Sequence, residues 1–281
     1  MLGDFPLRDK VVLVTGGGSG IGLSFVEKAL ALHAKILIAD LKLTTQAESL
    51  VHANPDRIAF TTCDVSKWNQ LQDSINASKA KFGDIPDVYV ASAGVFDPPW
   101  SNFWSDPEDH DYAVLQINVA HPIKLTRMAI RALKARQKKG VVLVVASLAG
   151  LQGAYAVPLY VASKHAVVGF TKSMAPAEIH EGVKVVAMCP GTVDTPLWTE
   201  SKEKQEIFQF EKSKKLTAEE IADSMVELVE KGDYAGGTIF AQDVGVKWVE
   251  VDGKVNQNPK LTNKEQFTWV KSVESKGKAL L

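Results

Sequence analysis

Short apolar runs recur along the chain at Lys10–Thr15, Lys35–Asp40, Arg57–Cys63, Asp87–Ala91, Gly140–Ala146, Val183–Met188 and Gly237–Ala241. Each is rich in β-branched residues and broken by glycine or a polar cluster, which predicts buried strands. Between most of them the apolar positions move to helical spacing, over Gly20–Leu32, Ser66–Phe82, Asp109–Lys138, Pro158–His180 and Thr217–Lys231. Continuously apolar strands that alternate with helices predict a parallel sheet covered on both faces. The expected fold is α/β, one doubly wound parallel sheet of about seven strands. Residues 1–251 form the expected domain. Residues 252–281 are polar and lysine-rich, with Phe267, Trp269 and Val270 as their strong apolar positions, and read as a docking arm or a tail.

The first strand runs into Thr15-Gly16-Gly17-Gly18-Ser19-Gly20-Ile21-Gly22, just where a helix is due to begin. A glycine turn at that junction lets backbone amides approach a pyrophosphate and aims a helix N-terminus at its charge. A tight strand-to-helix turn with no ligand remains the plain alternative. Asp40 closes the second strand, where a carboxylate can accept from both ribose hydroxyls of an adenosine and repel a 2′-phosphate, which favours NAD over NADP. Lys42, two positions on, offsets part of that repulsion. Asp64 and Val65, after the third strand, suit an adenine contact, or Asp64 is a helix N-cap.

Tyr160 and Lys164 are spaced to stack on one helix face. A phenol loses its proton near pH ~10 on its own, and an adjacent cation favours the phenolate, so Lys164 is expected to lower the Tyr160 pKa. Ser147 lies thirteen residues upstream of Tyr160, after the fifth strand. His121 and His165 lack zinc-site spacing and read as packed or interfacial residues. Cys189, before Pro190, reads as a small core residue.

The composition narrows the function classes. With 46% hydrophobic residues and a net charge of −1, the chain has ample material for one large core and no basic bias toward nucleic acid or an anionic membrane. Two cysteines and a start without a basic-then-apolar leader speak against a secreted disulfide scaffold, and no apolar run reaches the ~20 residues of a membrane span. A cytoplasmic enzyme with a small-molecule partner is the expectation.

In order and spacing these motifs resemble the short-chain dehydrogenase/reductase family over about residues 8 to 245. The family's T-G-x-x-x-G-x-G falls on Thr15 to Gly22, its catalytic asparagine on Asn118, its serine on Ser147, its Y-x-x-x-K on Tyr160 and Lys164, and its Pro-Gly segment on Pro190 to Thr195. Leu159 to Ser173 is also similar to the NAD-dependent prostaglandin dehydrogenase branch and its fungal alcohol dehydrogenase relatives. The resemblance implies a Rossmann-type fold and an alcohol dehydrogenase or ketoreductase. It implies NAD held by Gly16, Gly18, Ser19, Gly20, Ile21, Gly22, Ala93, Gly94, Tyr160, Lys164, Pro190, Gly191, Val193 and Thr195, beside Asp40, Asp64 and Val65. Catalysis would fall to Tyr160 as acid or base, Ser147 on the substrate oxygen, Lys164 on the phenol and the nicotinamide ribose, and Asn118 on a water chain. It also implies a homodimer or homotetramer. One departure stands out: Ala91-Ser92-Ala93-Gly94 replaces the family's Asn-Asn-Ala-Gly or Asn-Ala-Ala-Gly, which puts local sheet stability in doubt.

The segments after the fourth, fifth and sixth strands are bulky and apolar. They supply Trp100, Phe103 and Trp104, then Leu148, Leu151, Tyr155 and Val157, then Trp198, Phe208 and Phe210. Such a wall suits a lipophilic or ring-containing secondary alcohol or ketone. Residues 195–215, with aromatics among charges, read as an amphipathic lid or as a rigid surface helix. Two rivals stay open: an NADPH-dependent carbonyl reductase, and a non-catalytic dinucleotide-binding scaffold.

Overall fold

Burial without interruption along Val11–Thr15 (β1) and Val183–Pro190 (β6) places these strands between two helical layers. The computed structural model of the chain describes residues 2–106, 109, 111–199, 202–250 and 271. The remaining strands are β2 (Lys35–Asp40), β3 (Ile58–Thr62), β4 (Val88–Ala91), β5 (Gly140–Val145), β7 (Val193–Asp194), β8 (Leu216–Thr217), β9 (Ile239–Asp243) and β10 (Val246–Glu250). The main sheet has the order β10-β9-β6-β5-β4-β1-β2-β3, and every pair in it is parallel except β10 on β9.

The seven expected strands are thus all present, and β10 makes an eighth. It turns back through Val244 and Gly245, whose φ of +74° suits a tight hairpin. Exposed along nearly its whole length, β10 has no buried apolar run by which to announce itself. β7 and β8 form a separate parallel pair.

The helices are α1 (Gly20–Ala31), α2 (Thr45–Ala53), α3 (Trp68–Phe82), α4 (Ala113–Leu115), α5 (His121–Ala135), α6 (Pro158–Ser173), α7 (Ala177–His180), α8 (Pro196–Thr199), α9 (Lys202–Ile207) and α10 (Ala218–Glu230). The helix expected over Pro158–His180 is two, because Pro176 has no amide hydrogen and its ring opposes continuation. The one expected over Asp109–Lys138 begins at Ala113 and widens into a π turn at Gln116–Ala120. Pro122 has no N–H to offer the Asn118 carbonyl four residues back, which is a physical reason for the irregularity. α2 escaped the hydrophobic pattern since only Ala47 is buried along it; it starts on the Thr44 hydroxyl, which accepts from the Ala47 amide.

Alternation along the strands divides the core. Leu13 and Leu37 pack with Leu71, Leu125, Leu133 and Val167 on one face of the sheet. Val12, Val14, Ile36 and Ile38 pack with Phe25, Met225 and Leu228 on the other. His121 is fully buried, with Nε2 3.0 Å from Thr15 Oγ1 and Nδ1 3.2 Å from the Ile117 carbonyl. Thr15 Oγ1 in turn lies 3.1 Å from the Val90 carbonyl. Burial pulls the His121 pKa down to about 4, so a neutral imidazole ties the π turn to β1 and β4 beside Ala91 and Ser92.

Of the arm expected over residues 252–281 only Lys271 lies within the described residues, and its Nζ is 2.8 Å from Glu181. Among the described residues no helix is long and apolar enough to cross a membrane.

Candidate active site

The strand order reverses between β1 and β4, and the carboxyl ends of those strands open a crevice there. A cleft of about 490 Å³ runs from the glycine turn past β4 and β5 to β6 and the end of β9. That volume suits a cofactor or drug-sized ligand.

At one end the backbone comes unusually close. Gly16 has φ +68°, and a Cβ there would stand 2.5 Å from the Ala93 amide nitrogen; on Gly22 it would meet the Gly16 carbonyl at 2.1 Å. Only glycine lets the turn pack this tightly. Gly16, Ser19, Gly20, Ile21 and Gly22 line the cleft, and α1 begins there with its unpaired amides. Gly18 does not line it. Its amide instead donates to Asp40 Oδ2 at 2.9 Å while Leu41 N donates to Oδ1 at 2.7 Å, so Gly18 positions the carboxylate that the cleft exposes.

Asp64 and Val65 also line the cleft. Asp64 Oδ1 accepts from the Ser66 amide (3.0 Å) and hydroxyl (2.7 Å), a local turn ahead of α3 rather than a cap on it, since Lys67 is the residue at that cap. Ala93, Gly94, Pro190, Gly191, Val193 and Thr195 complete the expected wall.

The reacting groups converge further along. Ser147 follows β5, and its Oγ accepts from the Ala149 amide at 3.1 Å. The Ser147 and Tyr160 hydroxyls share a hydrogen bond. Lys164 is buried, donates to the Val145 carbonyl at 2.9 Å, and holds its Nζ 5.5 Å from the Tyr160 ring centroid. Burial lowers its pKa to about 8.

The expectation that Lys164 lowers the Tyr160 pKa is not met in this structure. Burial pushes the phenol up to about 12, the hydrogen bond from Ser147 offsets only part of that, and the charges of Cys189 and Asp97 add to the rise. The protein therefore holds a phenol beside an easily deprotonated lysine. Desolvation wins because the lysine is itself buried and bound to a carbonyl.

Asn118 is brought near but stays behind the surface. Its Oδ1 accepts from the Val95 amide at 2.9 Å, and its Nδ2 donates to the Val95 carbonyl at 2.8 Å and to Ser163 Oγ at 3.1 Å. Ser163 Oγ then donates to the Tyr160 carbonyl at 2.7 Å. Asn118 thus ties the loop after β4 to the tyrosine's own helix.

Leu148, Val157, Trp198 and Phe208 face the cleft as the bulky wall required. Trp100, Trp104 and Tyr155 do not. They are 62%, 51% and 85% exposed, and Trp104 turns outward to meet Tyr155 at a tilt and donate to the Ala156 carbonyl. Phe96, which the sequence did not single out, replaces them. It is buried and meets Tyr160 edge-on at 4.6 Å, Trp198 at 4.9 Å and Phe208 at 5.5 Å. Phe210 is buried and stacks behind Trp198 at 5.1 Å, so the segment after β7 divides its aromatics between cleft and core. Its position two residues after Gly94 was the available signal for Phe96; Asp243, at the end of β9, carried the same strand-end signal as Asp40 and also lines the cleft.

The sequence profile described as short chain dehydrogenase matches residues 10–206. A 15-hydroxyprostaglandin dehydrogenase (NAD(+)) of Mus musculus is 34% identical over 208 residues, covering 71% of this chain and 73% of its own. A galactitol 2-dehydrogenase of Agrobacterium fabrum is 34% identical over 192 residues, covering 68% of this chain and 73% of its own. Among solved structures, a 3-ketoacyl-(acyl-carrier-protein) reductase from Brucella melitensis complexed with NADH matches with a TM-score of 0.73 at 27% identity, over 85% of this chain and 98% of that one. With the profile, the relatives and the fold in agreement, the chain belongs to the short-chain dehydrogenase family, a family of dinucleotide-dependent oxidoreductases.

Proposed function

We propose that this protein is an NAD-dependent oxidoreductase that moves a hydride between the cofactor and the secondary alcohol or ketone of a small, apolar, ring-containing molecule. The observation that carries the reading is the meeting of Ser147, Tyr160 and Lys164 in one cleft with the glycine cradle. The cradle fits a dinucleotide, because glycine at 16 and 22 lets the turn pack tightly against its own backbone, and the turn and the start of α1 then line the cleft where a pyrophosphate would lie. NAD is favoured by Asp40, and a relative with NAD(+) in its name points the same way.

When bound, the nicotinamide supplies the centre that takes or gives the hydride. The chain's residues handle the rest. The Tyr160 hydroxyl stands to take the alcohol's proton, or give one to the carbonyl oxygen in reverse. Ser147 donates to that oxygen as its charge grows. Lys164 sits behind both and offers its ammonium to the nicotinamide ribose. Phe96, Val157, Trp198 and Phe208 keep water from the reacting carbon. Reduction of NAD+ by a panel of hydrophobic secondary alcohols, followed by absorbance, tests the reading; no turnover across the panel rejects it.

Asp40→Ala is expected to raise the ratio of NADP+ to NAD+ catalytic efficiency by about tenfold or more, as the carboxylate that repels a 2′-phosphate is lost. A wild type that already prefers NADP+ refutes the role of Asp40.

The exposed face of α6 carries Ala162, His165, Ala166 and Gly169, a smooth strip that permits close approach of another helix. We read this face as a contact between copies in a homodimer or homotetramer. Sedimentation should show an assembly, and a monomer that persists at high concentration would contradict it.

A further inference from the structure

Asp243 ends β9 beside the reacting centre. β6 and β9 pair Pro190 with Gln242, which sets Asp243 level with Gly191. Its Oδ1 accepts from the Val244 amide at 2.8 Å and lies 2.6 Å from where a Cβ on Gly191 would stand. Glycine at 191 therefore lets the carboxylate reach the cleft, which it lines. On the other flank, Leu148 Cδ1 is 3.4 Å from the same Cβ position, and Ser147 Oγ is 3.5 Å from the Pro190 carbonyl. One peptide unit lies between serine and carboxylate, and the contacts chained end to end put the two at most about 10 Å apart, a gap that a six-membered ring with its substituents can bridge.

The same cleft is lined at its substrate end by Phe96, Val157, Leu197, Trp198 and Phe208. A carboxylate can only accept hydrogen bonds. A wholly apolar ligand that covers it strips its water and gives nothing back, whereas a ligand with a hydroxyl there forms a charge-assisted bond. Such asymmetry is how a site separates a hydroxylated substrate from its bare analogue.

We propose that Asp243 is a specificity-determining residue, selecting ring-containing secondary alcohols or ketones that carry a second hydroxyl about one ring's breadth from the reacting carbon. The inference rests on the oxidoreductase reading above and names its substrate class. The probes are 1-phenylethanol and 1-(4-hydroxyphenyl)ethanol, compared by kcat/KM with saturating NAD+ in the full-length protein. Wild type should favour the hydroxylated alcohol by about 10- to 100-fold, less than for a sealed site because Asp243 is half-buried.

Asp243→Leu should bring the ratio close to one. Asp243→Asn, which keeps an acceptor oxygen for Val244 and for the ligand, should retain part of it and guards against a folding defect in the leucine variant. Each variant is its own control, since the readout is a ratio. Turnover of both alcohols by wild type without preference, or a preference that survives Asp243→Leu, overturns the role of Asp243 alone. No turnover of either alcohol while others of the panel are oxidised overturns this substrate class alone; no turnover across the whole panel sinks the oxidoreductase reading and this inference with it.

Discussion

Tyr160→Phe is expected to cut turnover by roughly 10² to 10⁴, the range for losing a positioned proton carrier. The fold should survive, because the ring stays and with it the edge-on contact to Phe96 at 4.6 Å. Only the hydroxyl goes, and with it the hydrogen bond to Ser147. Affinity for NADH, measured by fluorescence titration, should stay within a few fold of wild type, since the cradle is built by other segments. A drop in both terms together would mean that the substitution disturbs the cleft. Turnover within a few fold of wild type would remove Tyr160 as the acid or base.

The protonation state gives this prediction a second edge. Burial holds the Tyr160 phenol up to about 12, so at neutral pH the free protein stores the proton on the tyrosine. That state is ready to donate to a carbonyl. Oxidation needs the phenolate, and its rate should therefore keep rising with pH well above 7, a slope that Tyr160→Phe should abolish.

The main architecture was legible because β1, β2 and β4 to β6 are buried strands that are apolar along almost their whole length, with Lys184 in β6 as the charged position inside a run. The reverse holds for β10 and α2, which rest on the surface and leave no such trace. Site residues fixed by backbone demands were equally legible: Gly16 and Gly22 admit no Cβ, and Tyr160 and Lys164 follow from helix spacing. Loop side chains were not. Nothing in the order Trp100 to Trp104 says that Trp104 turns outward to Tyr155 with Phe103 edge-on to it, while Phe96, a few residues earlier, turns in. Loop direction is set by contacts such as the Asn118 clamp on Val95, made between segments far apart in sequence.

The same limit applied to electrostatics. Spacing placed an ammonium near a phenol, but it could not show that Lys164 is buried and donates a hydrogen bond to the Val145 carbonyl. Burial then reversed the sign of the expected shift on Tyr160. Distance alone does not decide a pKa when the neighbouring charge is itself costly to keep.

Lys164→Met should lower turnover by roughly 10²-fold or more and also weaken cofactor binding, if its ammonium holds the nicotinamide ribose in place beside Tyr160 as proposed. Methionine keeps most of the length of the stem, so the packing loss is small. The Val145 carbonyl loses its donor, at a cost of about 1–3 kcal/mol in stability. The pH dependence isolates the charge. The folded-state pKa of Lys164 is depressed to about 8 from 10.5, so the ammonium predominates below 8 and is lost as pH rises through it. The charge-assisted hydrogen bond proposed to the ribose would weaken over the same interval, and NADH affinity in wild type should fall by about tenfold between pH 7 and 9. For folding the sign is opposite: the unfolded chain binds this proton more tightly, so the penalty of burying the charge is relieved as pH climbs from about 8 toward 10.5. Lys184 is a second buried lysine with a pKa lowered to about 8, but its Nζ donates to the Val229 and Lys231 carbonyls at the end of α10, away from the cleft. Lys164→Met leaves it in place. A flat NADH affinity profile in that variant, against a falling one in wild type, assigns the effect to Lys164; the same fall in both proteins, or unchanged affinity at pH 7 in the variant, would take the ribose contact away from this residue.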